Sequence, residues 1–164
     1  MTRVLLEMSI LEAAHLTDLV EQFADLIAET VDDAVDDDPA IARLVPDAYR
    51  DDAVAADEFR RLTQGDLLDR RRDDATTVLT TLRREGIALR PEEISDADAT
   101  EAFVVELDGP GVSAWLRTLT SVRLVMATRL GITDEGQDDP DDPRFGIYNW
   151  LGFRLEGLLH ALED

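Results

Sequence analysis

The sequence predicts a mainly α protein, a single-domain helical bundle of about five to six helices running over residues 1–164. One short two-stranded β-ribbon joins it if Val4 to Met8 pairs with Ala102 to Leu107. Three observations carry this. The stretch Gly111 to Ile132 places Val112, Trp115, Leu116, Leu119, Val122, Met126 and Leu130 on one helical stripe and ends at Gly131, where a left-handed cap suits glycine. Leu124 and Val125 lie off that stripe, so neighbours must cover most of this helix, leaving Arg117, Ser121 and Thr128 turned to water. Other segments repeat the helical period between glycine and proline stops. Finally, 164 residues with 45% hydrophobic content are enough to bury a core without staples.

Taken in order, Val4 to Met8 is a strand or the lead-in to a helix. Ser9 to Glu12 matches a capping box, and the helix after it carries Leu11, Leu16, Leu19, Phe23, Leu26, Ile27 and Val31 inward, on to about Val35. The acidic turn from Asp32 to Asp38 leads into a short helix from Pro39 to Leu44, because proline suits the first helical position. Asp51 to Gln64 reads as a helix with Val54, Phe59 and Leu62 inward, closed by Gly65. Asp66 to Glu85 reads as the next, closed by Gly86. Pro91 to Thr100 is acidic and either loop-like or weakly helical, Ala102 to Leu107 is the best strand candidate, and a second acidic loop, Gly136 to Pro143, precedes a last helix from Pro143 to Leu162.

The formal charge of −21 opposes nucleic acid as a whole-surface partner, because affinity there comes from neutralised phosphates. No cysteine is present, which removes disulfides, thiolate metal sites and iron–sulfur clusters from this chain. The first residues lack a signal-peptide pattern and no apolar run approaches the roughly 20 residues of a membrane span, so a cytoplasmic protein with no membrane partner is expected.

No catalytic constellation, cofactor motif or metal-ligand set stands out. His15 and His160 are far apart, and the acidic turns lack the glycine and glutamate positions of a calcium loop. The order strand, Gly109-Pro110-Gly111, helix resembles a phosphate loop only loosely, since Pro110 has no N–H and Asp108 repels anions. A carboxylate pair such as Asp52 with Glu58 would be needed for an enzyme.

The chain's one basic island is Arg60, Arg61, Arg70, Arg71, Arg72, Arg83, Arg84 and Arg90. It admits three readings: local ion pairs (Asp57 to Arg61, Asp66 to Arg70, Asp69 to Arg72), a docking face for an acidic protein, or a nucleic-acid contact through a helix-turn-helix around Gly65. Local pairing accounts for it most simply. Trp115 and Arg123 are structural candidates on the central helix; Arg123 falls inside the apolar stripe and calls for a carboxylate partner if buried. The last helix has a main stripe of Ile147, Tyr148, Leu151, Leu155, Leu158, Leu159 and Leu162, and a second of Trp150, Phe153, Gly157 and Ala161. The second stripe is either packed internally, which the number of helices favours, or a homodimer or partner face.

Trp115-Leu116, Arg123-Leu124, Arg129-Leu130-Gly131-Ile132 and Tyr148-x-Trp150-Leu151, with Arg43-Leu44, Pro46, Tyr49, Asp52, Glu58-Phe59-Arg60 and Leu62-Thr63 upstream, resemble an actinobacterial family. That family, formerly of unknown function, is now named for an oxidative-stress transcription regulator (AosR-like). The resemblance implies a cytoplasmic, mainly helical protein regulating transcription in oxidative stress, with a sigma factor or another transcription component as partner. Its members are often encoded beside a Clp protease adaptor and cysteine-biosynthesis proteins. Two departures stand out: Thr120-Ser121 occupies the place of an Asn-Asp pair, and a disulfide switch has no cysteine to work with. The expectation is therefore a non-enzymatic regulatory protein without a cofactor, docking a protein partner through Arg60, Arg61, Arg70, Arg71 and Arg72 or through Trp150 and Phe153. Direct DNA binding by the helix pair, and a ligand-binding or enzymatic helical domain, are its rivals.

Overall fold

The computed structural model describes residues 3–29, 39–42, 44, 53–131 and 145–163. Among these, two strands and five α-helices follow in the order β1 (Val4–Ser9), α1 (Ile10–Glu29), α2 (Pro39–Ala42), α3 (Ala53–Thr81), β2 (Ala102–Leu107), α4 (Gly109–Leu130) and α5 (Gly146–Glu163). The mainly α class with a short ribbon is as the sequence predicts. The acidic stretches 32–38 and 136–143, the end of the first helix beyond Glu29, and Asp52 lie outside the described residues.

The ribbon is antiparallel, with Val4 opposite Leu107 and Ser9 opposite Ala102. Period-two alternation sends Val4, Met8, Val105 and Leu107 into the core and leaves Leu5, Glu7, Val104 and Glu106 outside. A lone two-stranded ribbon is marginal in water, and this one is held by burying its inner face against the helices. The chain turns from β1 straight into α1, where the Ser9 hydroxyl accepts from the Glu12 N–H at 3.1 Å. That is one half of the expected capping box. The Glu12 carboxylate is engaged instead with Trp150 and Arg154 on α5.

The helix pair around Gly65 is not formed: α3 runs unbroken through Gly65 for 29 residues, about 44 Å at 1.5 Å per residue. A single glycine in a helix interior costs about 1 kcal/mol relative to alanine, and packing outweighs that. Leu68, Ala75 and Val78 recur on one face and are fully buried, holding the helix down beyond the glycine. The helix ends at Thr81, four residues short of the expected Glu85, and Glu85 and Gly86, both at positive φ (53° and 80°), form a separate two-residue turn closed by Arg84 and Ile87 exchanging N–H···O bonds of 2.9 and 3.0 Å.

The centre of the fold is α4, which packs against α3, α5, α2 and α1. It starts two residues before the expected Gly111: Asp108 is its N-cap, accepting from the Gly111 N–H at 2.8 Å, and Pro110 sits in the first turn. The free N–H that a phosphate loop would offer is thus taken by the chain's own carboxylate. Gly131 closes the helix in the left-handed region as expected, at φ 76°. Ser121, expected at the surface, is buried. It belongs to a second inward stripe of small side chains, Ala114, Thr118, Ser121 and Val125, that lets a neighbour approach closely. Trp115 fills the middle of the core at 1% exposure, and its indole N–H donates to Thr81 Oγ1 at the end of α3 at 2.9 Å.

Candidate docking site

A largely apolar groove lies between α1 and α5, with the exposed Ile147 at its lip. From α1 it takes Glu12, His15, Asp18, Leu19 and Gln22, and from α5 Gly146, Ile147 and Trp150; Leu19 and Trp150 are partly buried against the core, while His15, Gln22 and Ile147 are exposed. It encloses about 450 Å³ and opens to solvent along one side. Ile147, in the first turn of α5, is 52% exposed, whereas Tyr148 and Leu151 beside it are buried.

One ion cluster fixes the groove's end. Trp150 Nε1 donates to Glu12 Oε2 at 3.4 Å, Arg154 pairs with the same carboxylate, and Arg154 also donates to the Glu7 backbone carbonyl at 3.2 Å. The i,i+4 spacing of Trp150 and Arg154 puts both on one face of α5, so a single acid on α1 sets the position of two side chains. A second cluster lies along α1, where Arg90 bridges Glu21 at 3.0 Å and Asp18 at 3.2 Å. Its hydrogen bonds to Glu21, and then the charge of that carboxylate, hold the Arg90 guanidinium above its ordinary range.

The predicted site residues separate into two places. Trp150 stands at the groove, half-buried, while Phe153 one turn on is 66% exposed. The second stripe is therefore not internally packed throughout, since Gly157 is exposed as well. On α3, Arg70 and Arg72 are exposed, and Arg71 reaches Asp74 at 3.7 Å. The side chains of Arg60 and Arg61 lie outside the described residues. The expected pairs of Asp66 with Arg70 and Asp69 with Arg72 are absent among the described residues. Asp74 instead takes Arg117 of α4 in a two-point pair of 2.8 and 3.1 Å, which raises the Arg117 pKa through those hydrogen bonds. Of the rest of the island, Arg84 faces Glu101 at 3.5 Å and Arg90 is held on α1.

Arg123 is half-buried, but no carboxylate meets it among the described residues. Its guanidinium lies 4.0 Å over the Tyr148 ring and its Nε donates to the Tyr148 carbonyl at 3.3 Å. A ring face and a carbonyl satisfy a partly hydrated cation without a counter-charge. The close approach depends on Gly152, where a Cβ would sit 2.9 Å from the Arg123 guanidinium. No group of three or more His, Cys, Asp or Glu side chains is gathered to hold a metal among the described residues. Nor is any helix among them long and apolar enough to cross a membrane.

Sequence reading missed Glu12 and Arg154 as a pair, because they stand 142 positions apart and each looks like an ordinary surface charge.

Against known proteins, residues 2–162 match the family described as a domain of unknown function, DUF2017. The chain belongs to that family. Proteins named "Oxidative stress regulator AosR" from Mycobacterium bovis and from two strains of Mycobacterium tuberculosis are each 27% identical to it over 143 residues, covering 76% of this chain. The chain spans 58% of the length of these curated relatives. No solved structure matches it. Of the residues that carried the likeness within the DUF2017 chain, Trp115 and Arg123 lie on α4 and the Tyr148-x-Trp150-Leu151 run on α5, and Arg123 meets Tyr148 across the contact of the two helices.

Proposed function

We propose that this DUF2017 protein is a non-enzymatic regulator in the response to oxidative stress, acting on transcription through a protein partner such as a sigma factor or another transcription component. The observation that carries the reading is the similarity to proteins named oxidative stress regulators over 76% of the chain. The surface of α5 supports a protein contact, because Ile147, Trp150 and Phe153 present large apolar side chains on neighbouring turns. With no cysteine in the chain for a disulfide switch, the regulator either receives the oxidation signal from its partner or does not sense oxidation at all. Direct DNA contact loses its structural basis with the unbroken α3, and the charge of −21 opposes it.

Affinity capture of the tagged protein from its native host, with and without nuclease and with and without peroxide, tests this. Nuclease-resistant recovery of a sigma factor or polymerase subunit is expected. Recovery that disappears with nuclease would move the function to nucleic acid.

A further inference from the structure

We infer that the groove between α1 and α5 seats a basic amphipathic helix of the partner, its apolar anchors over Leu19, Ile147 and Trp150 and its Lys or Arg side chains against the acidic flank of α1. The inference rests on the reading that the chain works through a protein partner, and it names the site and the chemistry of what docks there.

Shape is the first argument. Two helices that diverge leave a trough into which the ridge of a third helix packs, with anchors at i, i+3, i+4 and i+7. About 450 Å³, open on one side, is room for a few side chains standing on a longer element. A small ligand in a pocket of its own is enclosed on most of its surface, which this groove does not do. The lip is already apolar: Ile147 at 52% exposure sits next to a tryptophan whose N–H is satisfied inside the protein, so the remaining indole surface is free to be covered without leaving a polar group unpaired.

Charge is the second argument, and it selects the occupant. Along α1 stand Glu12, Asp18, Glu21, Asp25 and Glu29, with no lysine or arginine in the helix. Among the described residues, Arg154 takes Glu12, and Arg90 takes Asp18 with Glu21. Asp25 and Glu29, both on the outer side of α1, extend the acidic flank past the groove. An apolar floor continued along α1 by the exposed Asp25 and Glu29, on a body of charge −21, attracts and orients a cationic segment. The same field opposes a second copy of this chain, whose flank carries the same sign.

The test uses the intact protein and a short synthetic helix with Leu at the anchor spacing, Lys elsewhere and no tryptophan. Trp115 is shielded in the core, so a change in the fraction of emission quenched by acrylamide reports Trp150. Binding is expected to shift the emission to the blue and protect Trp150. Ile147→Gln, neutral and at a half-exposed position, should weaken it about tenfold, while Leu5→Gln on the ribbon's outer face should leave it unchanged. A scrambled peptide of the same composition that binds as tightly would mean charge alone and overturn the proposal. Shielding that grows with protein concentration in the absence of peptide would also overturn it, in favour of a second copy. The two readings fail separately. A partner captured in full by the Ile147→Gln protein refutes the groove and leaves the regulator standing, whereas a wild-type protein that captures no protein partner removes both.

Discussion

Trp115→Ala lowers the stability of the protein by about 3–5 kcal/mol, the largest effect expected of any single substitution discussed for this chain. The side chain is the largest of those fully buried, and it stands where α4 meets α3. Removing it leaves a cavity that the small inward residues Ala114 and Thr118 cannot fill, since both are already packed. It also deprives Thr81 Oγ1 of the indole N–H, although that hydroxyl still donates to the Val78 carbonyl at 2.6 Å. Trp115→Phe keeps most of the ring contact and loses the hydrogen bond, for a cost of about 1 kcal/mol plus the smaller volume. Urea unfolding followed by circular dichroism measures both, and an unchanged slope with a lowered midpoint would place the whole effect in stability.

Glu12→Ala follows, at about 1–2 kcal/mol after allowance for partial solvent screening of the pair. The carboxylate is the acceptor for both Trp150 and Arg154, whose side chain is only 22% exposed. Without it, the guanidinium keeps the Glu7 carbonyl and the Phe153 ring, 5.7 Å away, and the indole N–H has no acceptor among the described residues. Because this acid ties α5 to α1 through both Trp150 and Arg154, the loss should concentrate there and appear first as increased acrylamide access to Trp150. A double-mutant cycle with Arg154→Ala isolates the pair: non-additivity of about 1 kcal/mol is expected, and strict additivity would mean the pair contributes nothing.

The parts of the fold that were legible in the sequence are those decided locally. Gly131 ends α4 because only its own backbone angle is at stake, and the alternation of Val4 to Met8 and Ala102 to Leu107 fixes which face turns inward once the strands meet. Gly65 was misread as a stop for a physical reason: its helix penalty is small and local, while the burial of Leu68, Ala75 and Val78 that overrides it is tertiary. Ser121 was misplaced on polarity: it is buried on the second inward stripe of α4, where its small volume fits beside Ala114 and Thr118. The groove was only half legible. Trp150 was visible as an outlying aromatic, but Glu12, His15 and Leu19 join it through a contact between the two ends of the chain, and no spacing rule encodes that.

The central claim is that the chain regulates the oxidative-stress response. Transcript abundance in host cells lacking the protein, compared with wild type before and after peroxide, tests it most directly. A defined set of stress transcripts that loses its peroxide response, and regains it on complementation with the wild-type protein, is the predicted result. A peroxide response identical in the two strains would contradict the account.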